Sequence, residues 1–587
     1  MIKNKLHYTG DYKKEGKMDK LKNFKVSLAL ILAGFLVACD KTEEKTEKLS
    51  ISAVTNETLL NSATKTDGWY MYGGSYENWR HSSLKQINRR NVDSLVPKWI
   101  FQPGIKGQLS GSPLVIDGIM YLSAAYNNLW ALNAETGEPI WHYERDLPTD
   151  LRICCGPANR GVSVAGGKLF MATLDAYLIA MDRETGEVLW EVQLEDHQKG
   201  YSGTSAPLIV DDLVITGIAG GEFGARGFID AYEASTGKRV WRTYSVPSAG
   251  EKGVETWAGE SWKTGGSPTW AVGTYDKQTH TLYWPTGNPS PDWNGDARKG
   301  DNLYSNSLLA LDPETGEMKW YFQFTPHDVW DFDATNPVVL TDMKMDGVKK
   351  RVLVQPNRNG YVYVIDASDG SFLKGFQYVD QLNWSKGLDE KGRPIVDYDF
   401  VPTSESKTAR NSCPGAIGGH NGAWSWAFNP NQKIMYVASI EACNRMVKQV
   451  DTYNAGDPFW GGGPVETDKD TGKNYGNFLA IDPVSQSIKW KYKDKYPMVS
   501  GALSTDGDVV FTANQEGYAM GFDALNGDLL WKFQMGTSAR GQPITWEQSG
   551  KQYVAITSGG GGLAVEIVGE PPMVTRGNAL MVFGLPK

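Results

Sequence analysis

Short apolar runs separated by polar, glycine-bearing turns recur along the chain from about residue 68 to its end. One turn pattern repeats, of the form A-x-D-x-x-T-G-x-x-x-W. It reads "ALNAETGEPIW" at 131–141, "AMDRETGEVLW" at 180–190, "AYEASTGKRVW" at 231–241 and "ALDPETGEMKW" at 310–320. Looser copies are "VIDASDGSFLK" (364–374), "AIDPVSQSIKW" (480–490) and "GFDALNGDLLW" (521–531), and "LVPKW", ending at Trp99, reads as the tail of one more. In each copy an apolar strand ends at the Ala-x-Asp. The Asp or Asn and the Thr-Gly close a tight turn, and the next strand starts before the Trp. Further β-rich runs, such as "GKLFMATLDAYLIAMD", precede most copies. Strand-turn units at a period of roughly 40–50 residues point to a radial or solenoid repeat. A solenoid needs polar caps, whereas a closed ring needs none, and regularly placed tryptophans can lock each unit to the next. The pattern therefore predicts an all-β, eight-bladed β-propeller over 68–587 with tryptophan-docking repeats, closed by pairing of its N- and C-terminal strands. The long gaps after Trp241 and Lys374 predict loop insertions above the ring.

The composition is globular, with 41% hydrophobic and 22% charged residues among 587, and a net charge of −9 without a basic tract argues against a nucleic-acid partner. At the N-terminus, Lys20, Lys22 and Lys25 precede an apolar run from Val26 to Ala38. That run is too short to span a bilayer as a helix but suits a signal-peptide core, and Met18 is a candidate start. It ends in "LVAC", which resembles a bacterial lipobox and makes Cys39 the lipidated residue; an ordinary cleaved signal is the alternative. Residues 1–39 are thus read as a lipoprotein signal and 40–67, charged and polar, as a flexible tether. This places the body outside the cytoplasm, anchored to a membrane by lipid, where disulfides persist.

With Cys39 assigned to lipid, four cysteines remain: Cys154, Cys155, Cys413 and Cys443. An adjacent pair plus a distant Cys413–Cys443 disulfide leaves no odd thiol. Neighbouring Cα atoms lie about 3.8 Å apart, below the roughly 4.4–6.8 Å of ordinary disulfides, so a Cys154–Cys155 bond is either absent or kept for a purpose. Five stretches carry candidate chemistry. "GIAGGEFGARGF" (217–228) sets Glu222 behind Gly220 and Gly221, where backbone can approach a ligand and a carboxylate can hold a hard cation. "YWPTGNPSPDWNGD" (283–296) offers the Asn288 carbonyl. "TPHDVWDFDATNP" (325–337) packs Asp328, Asp331 and Asp333 among aromatics, a setting for a base or metal ligand. "QPNRNGYVYVID" (355–366) carries Arg358, and "GGSPTWAVGTYD" (265–276) carries Trp270 as a possible stacking floor. Each also has a plain reading, as a surface Glu, an Asn-Pro turn, an Asx-turn cluster, a hairpin Arg and a core Trp.

In this order, and with the paired cysteines, these stretches resemble the pyrroloquinoline quinone (PQQ)-dependent alcohol dehydrogenases of the methanol/ethanol type. The resemblance runs from "DGWYMYGGSYENWRHSSLKQINRRNV" to the C-terminus. It implies that PQQ lies flat in the propeller axis, between Trp270 as floor and a Cys154–Cys155 disulfide ring as ceiling. It implies Arg160, Thr204, Gly220, Gly221 and Arg358 as further cofactor contacts. Glu222, Asn288 and Asp331 are the implied metal ligands and Asp331 the catalytic base for hydride transfer from an alcohol. Asp333 matches an additional carboxylate of lanthanide-using relatives, so the metal is Ca²⁺ or a lanthanide(III) ion. The implied setting is the periplasm of a Gram-negative bacterium, with electrons passed to a cytochrome c or similar acceptor, since no CxxCH haem motif occurs.

The chain also departs from the family pattern. Ser110 stands where a Glu is frequent, Pro268 where Thr or Ser precedes the floor, Ala219 in place of a Ser, and Ile440 and Glu441 where an Asn precedes a Cys. Two other readings compete: a non-catalytic lipoprotein scaffold and a sugar- or polyol-oxidising quinoprotein. The paired cysteines and the Glu222, Asn288, Asp331 and Arg358 set speak against a scaffold.

Overall fold

In the computed structural model, which describes residues 51–465, 474–560 and 577–586, each turn motif joins the third and fourth strands of an antiparallel sheet. The turn chemistry is as read. Asn133 Oδ1 accepts the backbone N–H groups of Glu135 (2.9 Å) and Thr136 (3.1 Å), and Asp182 does the same for Glu184 and Thr185. Gly137 and Gly186 follow with φ of +78° and +77°, a region that costs other residues energy.

On all outer strands but that of the fifth sheet, where Lys374 stands and donates to Val484 O instead, a tryptophan packs against the next sheet. A Cβ on Gly137 would lie 2.5 Å from the Trp99 ring, and one on Gly186 2.7 Å from Trp141. The indoles also donate hydrogen bonds into these turns, Trp99 to Ala134 O (3.2 Å), Trp241 to Pro313 O (2.9 Å) and Trp490 to Ala524 O (3.0 Å). Trp531 closes the succession by donating to Leu95 O at 3.3 Å. The glycine is therefore required twice, for its φ and for the ring that covers it.

The protein is a β-propeller. Among the described residues, sheets of four strands begin at residues 114, 163, 208, 274, 339, 427 and 503, the last extended by His81–Ser82. An eighth sheet joins both ends of the chain: Val96–Phe101 pairs antiparallel with Asn578–Gly584, in register Val96↔Gly584 through Phe101↔Leu580. Inner strands such as Ile119–Ala124 are wholly buried, while outer strands such as Pro139–Glu144 alternate with solvent. The two long gaps are filled by insertions. They include a hairpin of Ser385–Leu388 with Pro394–Val396 and a three-stranded sheet of Asn411–Ser412, Asn444–Lys448 and Gly462–Val465.

The signal segment and Cys39 lie outside the described residues. Residues 51–67, expected in a flexible tether, are instead docked on the propeller. Val54 bridges Gly166, Thr55 caps a short helix Asn56–Leu60, and Asn56 Nδ2 donates to Asp211 at 2.6 Å. Only Val54 and Leu59 supply buried apolar side chains there, too few to show in a polar composition. No helix among the described residues is long and apolar enough to cross a membrane.

Candidate functional site

In a four-stranded meander, the second-to-third connection and the connection to the next sheet leave from the same end. Cys154, Cys155, Arg160, Thr204, Trp270, Asp331 and Asp333 all lie in sheet-to-sheet connections, and Gly220, Gly221, Glu222, Asn288 and Arg358 in second-to-third loops. The topology thus gathers them at one end of the propeller, opposite the Thr-Gly turns. There they surround a cavity of about 120 Å³. All of them line it except Gly221 and Asn288, which sit just behind: Asn288 N donates to Asp333 Oδ1 at 3.0 Å.

Cys154 and Cys155 are joined in a disulfide with Cα atoms 3.8 Å apart, and Cys155 has φ +66°. Gln108 Nε2 donates to Cys155 O at 3.4 Å. The Glu222 carboxylate lies within 4.8 Å of both sulfurs. Being joined, they offer no thiolate, so this trio is no metal site of its own. Cys413–Cys443 is the second disulfide, tying two insertions together away from the cavity.

Trp270 forms one wall. The Arg160 guanidinium lies 4.4 Å from its ring centroid, and Arg160 also donates to Thr204 O, at 3.4 Å from Nη1. Arg358 spans two carboxylates at 3.2 Å, Asp331 through Nη2 and Asp333 through Nη1, and also donates to Ala416 O. Asp331 has φ +62°, a conformation rare outside glycine that aims this carboxylate differently from its neighbours. Asp328 is turned away. Its oxygens accept from Trp330 N (2.8 Å), Phe332 N (2.7 Å) and Asn306 Nδ2 (2.7 Å), so it builds the turn that presents Asp331 and Asp333.

The electrostatics of the group are those of an unbalanced anion cluster. Burial, then the charge of Asp333, pushes Glu222 up to about 7. Burial holds Asp331 well above the usual carboxylate range despite Arg358, and raises Asp333 as well. Asp292, fully buried with one oxygen unpartnered, is raised by burial and by the charges of Asp331, Glu222 and Asp333. Both amide atoms of Asn288 are buried without a hydrogen-bond partner. Converging carboxylates beside an orphaned amide oxygen are the donor set of a hard cation. On the other wall, the buried Oγ of Ser110, Oγ1 of Thr204 and Nε of Arg160 have no partner either, and all suit an anionic, oxygen-rich ligand lying on Trp270. The residues present therefore fit both PQQ and its cation.

Of the departures, Ser110 and Ala219 line the cavity. Pro268 packs on the glycine loop, 2.8 Å from where a Cβ of Gly221 would lie. Glu441 faces elsewhere, accepting from Asp380 N, Ser439 and Asn477. Sequence reasoning missed Gln108, Asn421, Arg540 and Asp292. Asp292 stands in the 283–296 stretch, where nothing in the sequence marks it out, and the other three carry no local signal, because each is brought in by a loop whose path the repeats do not determine.

The chain matches the family model described as PQQ, "Glucose/ethanol/alcohol dehydrogenase, beta-propeller domain", over residues 69–381 and 466–554. It is 39% identical over 563 residues to the quinoprotein alcohol dehydrogenase PedH of Pseudomonas putida, covering 91% of this chain and 94% of that protein. It is 35% identical over 543 residues to the lanthanide-dependent methanol dehydrogenase of Methylorubrum extorquens, covering 87% and 90%. Among solved structures, a europium-containing methanol dehydrogenase superposes with a TM-score of 0.85 at 33% identity, over 90% of this chain and all of that one. With its propeller, its cavity and these relatives in agreement, the chain belongs to the PQQ-dependent alcohol dehydrogenases.

Proposed function

We propose that this protein oxidises a small primary or secondary alcohol to the aldehyde or ketone, with Asp331 as the base. The observation that carries the reading is the placement of Asp331. It stands at the cavity, 20% exposed, among carboxylates that leave room for a cation. Bound there, PQQ supplies the hydride acceptor and the cation polarises it. Glu222, Asn288, Asp331 and Asp333 would hold the cation through carboxylate and amide oxygens. Trp270 would support a planar ring system, and the Cys154–Cys155 ring would help to shield it from water. Arg160 and Thr204 bind the anionic edge of the cofactor, Gly220 and Gly221 let the loop pass closely, and Arg358 orients Asp331 while donating toward the cofactor. Asp331, at the cavity and oriented by Arg358, would take the hydroxyl proton of the alcohol, and a cation held by its neighbours would favour its ionised form. Ile417, Ala423 and Ala219 give the cavity an apolar surface for the hydrocarbon part of the substrate.

Asp333 supports a trivalent lanthanide over Ca²⁺, because a further anionic donor compensates the extra charge. The signal and Cys39 support a lipid-anchored protein in the periplasm that hands electrons to a cytochrome c. Dye-linked oxidation of an alcohol panel by holoprotein tests the reading. The wild type is expected to turn over and Asp331→Asn to lose about 10²–10⁴-fold in kcat with PQQ still bound. Equal turnover by the variant rejects Asp331 as base.

A further inference from the structure

The cavity is polarised in charge by the topology of the ring. Glu222, Asn288, Asp331 and Asp333 come from the third and fourth sheets and the connection to the fifth. Across the axis, Arg160 comes from the connection between the first and second sheets and Arg540 from that between the seventh and eighth. Arg160 and Arg540 both line the same cavity, and the side chain of Arg540 is held inside the protein, 5% exposed, with its guanidinium 5.8 Å from the Trp424 ring centroid. Burial and the charge of Arg160 both lower the pKa of Arg540, to about 10. Two guanidinium groups that repel each other across one cavity define a site for a ligand bearing more than one anionic group.

We propose that Arg540 is a second anion-binding arginine of the cofactor site, receiving one carboxylate of PQQ while Arg160 receives another. This rests on the cofactor assignment made above and goes beyond it, because PQQ is a tricarboxylate and that assignment gives its anionic edge only Arg160 and Thr204. Ser110 Oγ and Thr204 Oγ1, both buried and unpartnered at the cavity, add two hydroxyls able to donate to a carboxylate. Arg540 thus sets affinity for the cofactor from a different sheet-to-sheet connection than the cation ligands and the base.

The test is equilibrium titration of cofactor-free protein with PQQ in the presence of La³⁺ or Ca²⁺, followed by absorbance, for wild type, Arg540→Gln, Arg540→Met and Arg540→Lys. Arg540→Gln and Arg540→Met are expected to weaken PQQ binding about 10- to 100-fold, as for loss of a charge-assisted hydrogen bond. Arg540→Lys is expected to recover most of that loss. Met fills the buried volume without a polar group, so at least one neutral variant is expected to melt as the wild type does. The trimethyl ester of PQQ is expected to bind wild type and neutral variants alike. Unchanged PQQ affinity in a folded neutral variant overturns the proposal, as does equal weakening for PQQ and its ester. Failure of the wild type to bind PQQ at all overturns the cofactor reading itself, a different outcome.

Discussion

Glu222 gives a prediction whose size can be worked from its surroundings. Its pKa is pushed from 4.5 to about 7 by burial and by Asp333, a change of roughly 2.5 pH units. At about 1.4 kcal/mol per unit, the cation-free protein loses about 3 kcal/mol of stability from this group as pH rises from ~4.5 to ~7. The sign follows from proton counting. Between these values folded Glu222 is protonated and unfolded Glu222 is not, so raising the pH favours the unfolded chain. His420 opposes this, because burial lowers it from 6.5 to about 4, and its unfolded form holds the extra proton over much of the same window. Asp331, Asp333 and Asp292, raised as well, act in the same direction as Glu222, so the wild-type curve sums several groups and the comparison must be with Glu222→Gln, which removes only the one carboxylate. Urea unfolding of both proteins, stripped of cations, at pH 5 and pH 8 gives the difference. The variant should gain about 3 kcal/mol relative to wild type at the higher pH. Saturating La³⁺ or Ca²⁺ should reverse the order, because the cation stabilises the ionised carboxylate. A difference independent of pH without cation refutes the electrostatic reading of the cluster.

Asp333→Ala should lower La³⁺ affinity more than Ca²⁺ affinity, at least tenfold apart, as read by metal titration; equal losses reject Asp333 as the source of selectivity. Trp241→Ala removes an indole that covers Gly316 and donates to Pro313 O, and should cost about 3–5 kcal/mol in denaturant unfolding. A cost below about 1 kcal/mol would show that the docking tryptophans are replaceable. Cys39→Ala in the full chain should move the protein from the membrane to the soluble fraction of fractionated cells, and unchanged partition rejects lipid anchoring.

The fold was legible because its information is local. An Asx turn, a glycine at positive φ and a tryptophan four residues on are read within eleven residues, and each copy specifies its own docking onto the next. The site was not legible in that way. Asp328, Asp331 and Asp333 look equivalent in "HDVWDFD", and only the backbone path separates Asp328, turned into three donors, from the two that face the cavity. The resemblance to the family chose between them where spacing did not. Arg540 escaped both routes because no turn or motif surrounds it, and Asp292, though inside the 283–296 stretch, because its importance arises from burial beside charges remote in sequence. Residues 51–67 escaped because hydrogen bonds, such as Ser52 to Asp117, hold them more than apolar burial does.

The central claim is that one cavity holds PQQ together with a cation. Titrating purified protein, stripped of both, with PQQ in the presence and absence of La³⁺ or Ca²⁺ measures this directly through the quinone absorbance. The account predicts saturation at one PQQ per chain, with the cation tightening binding and Glu222→Gln abolishing that gain. Saturation that ignores the cation, or no binding by correctly oxidised protein, contradicts it.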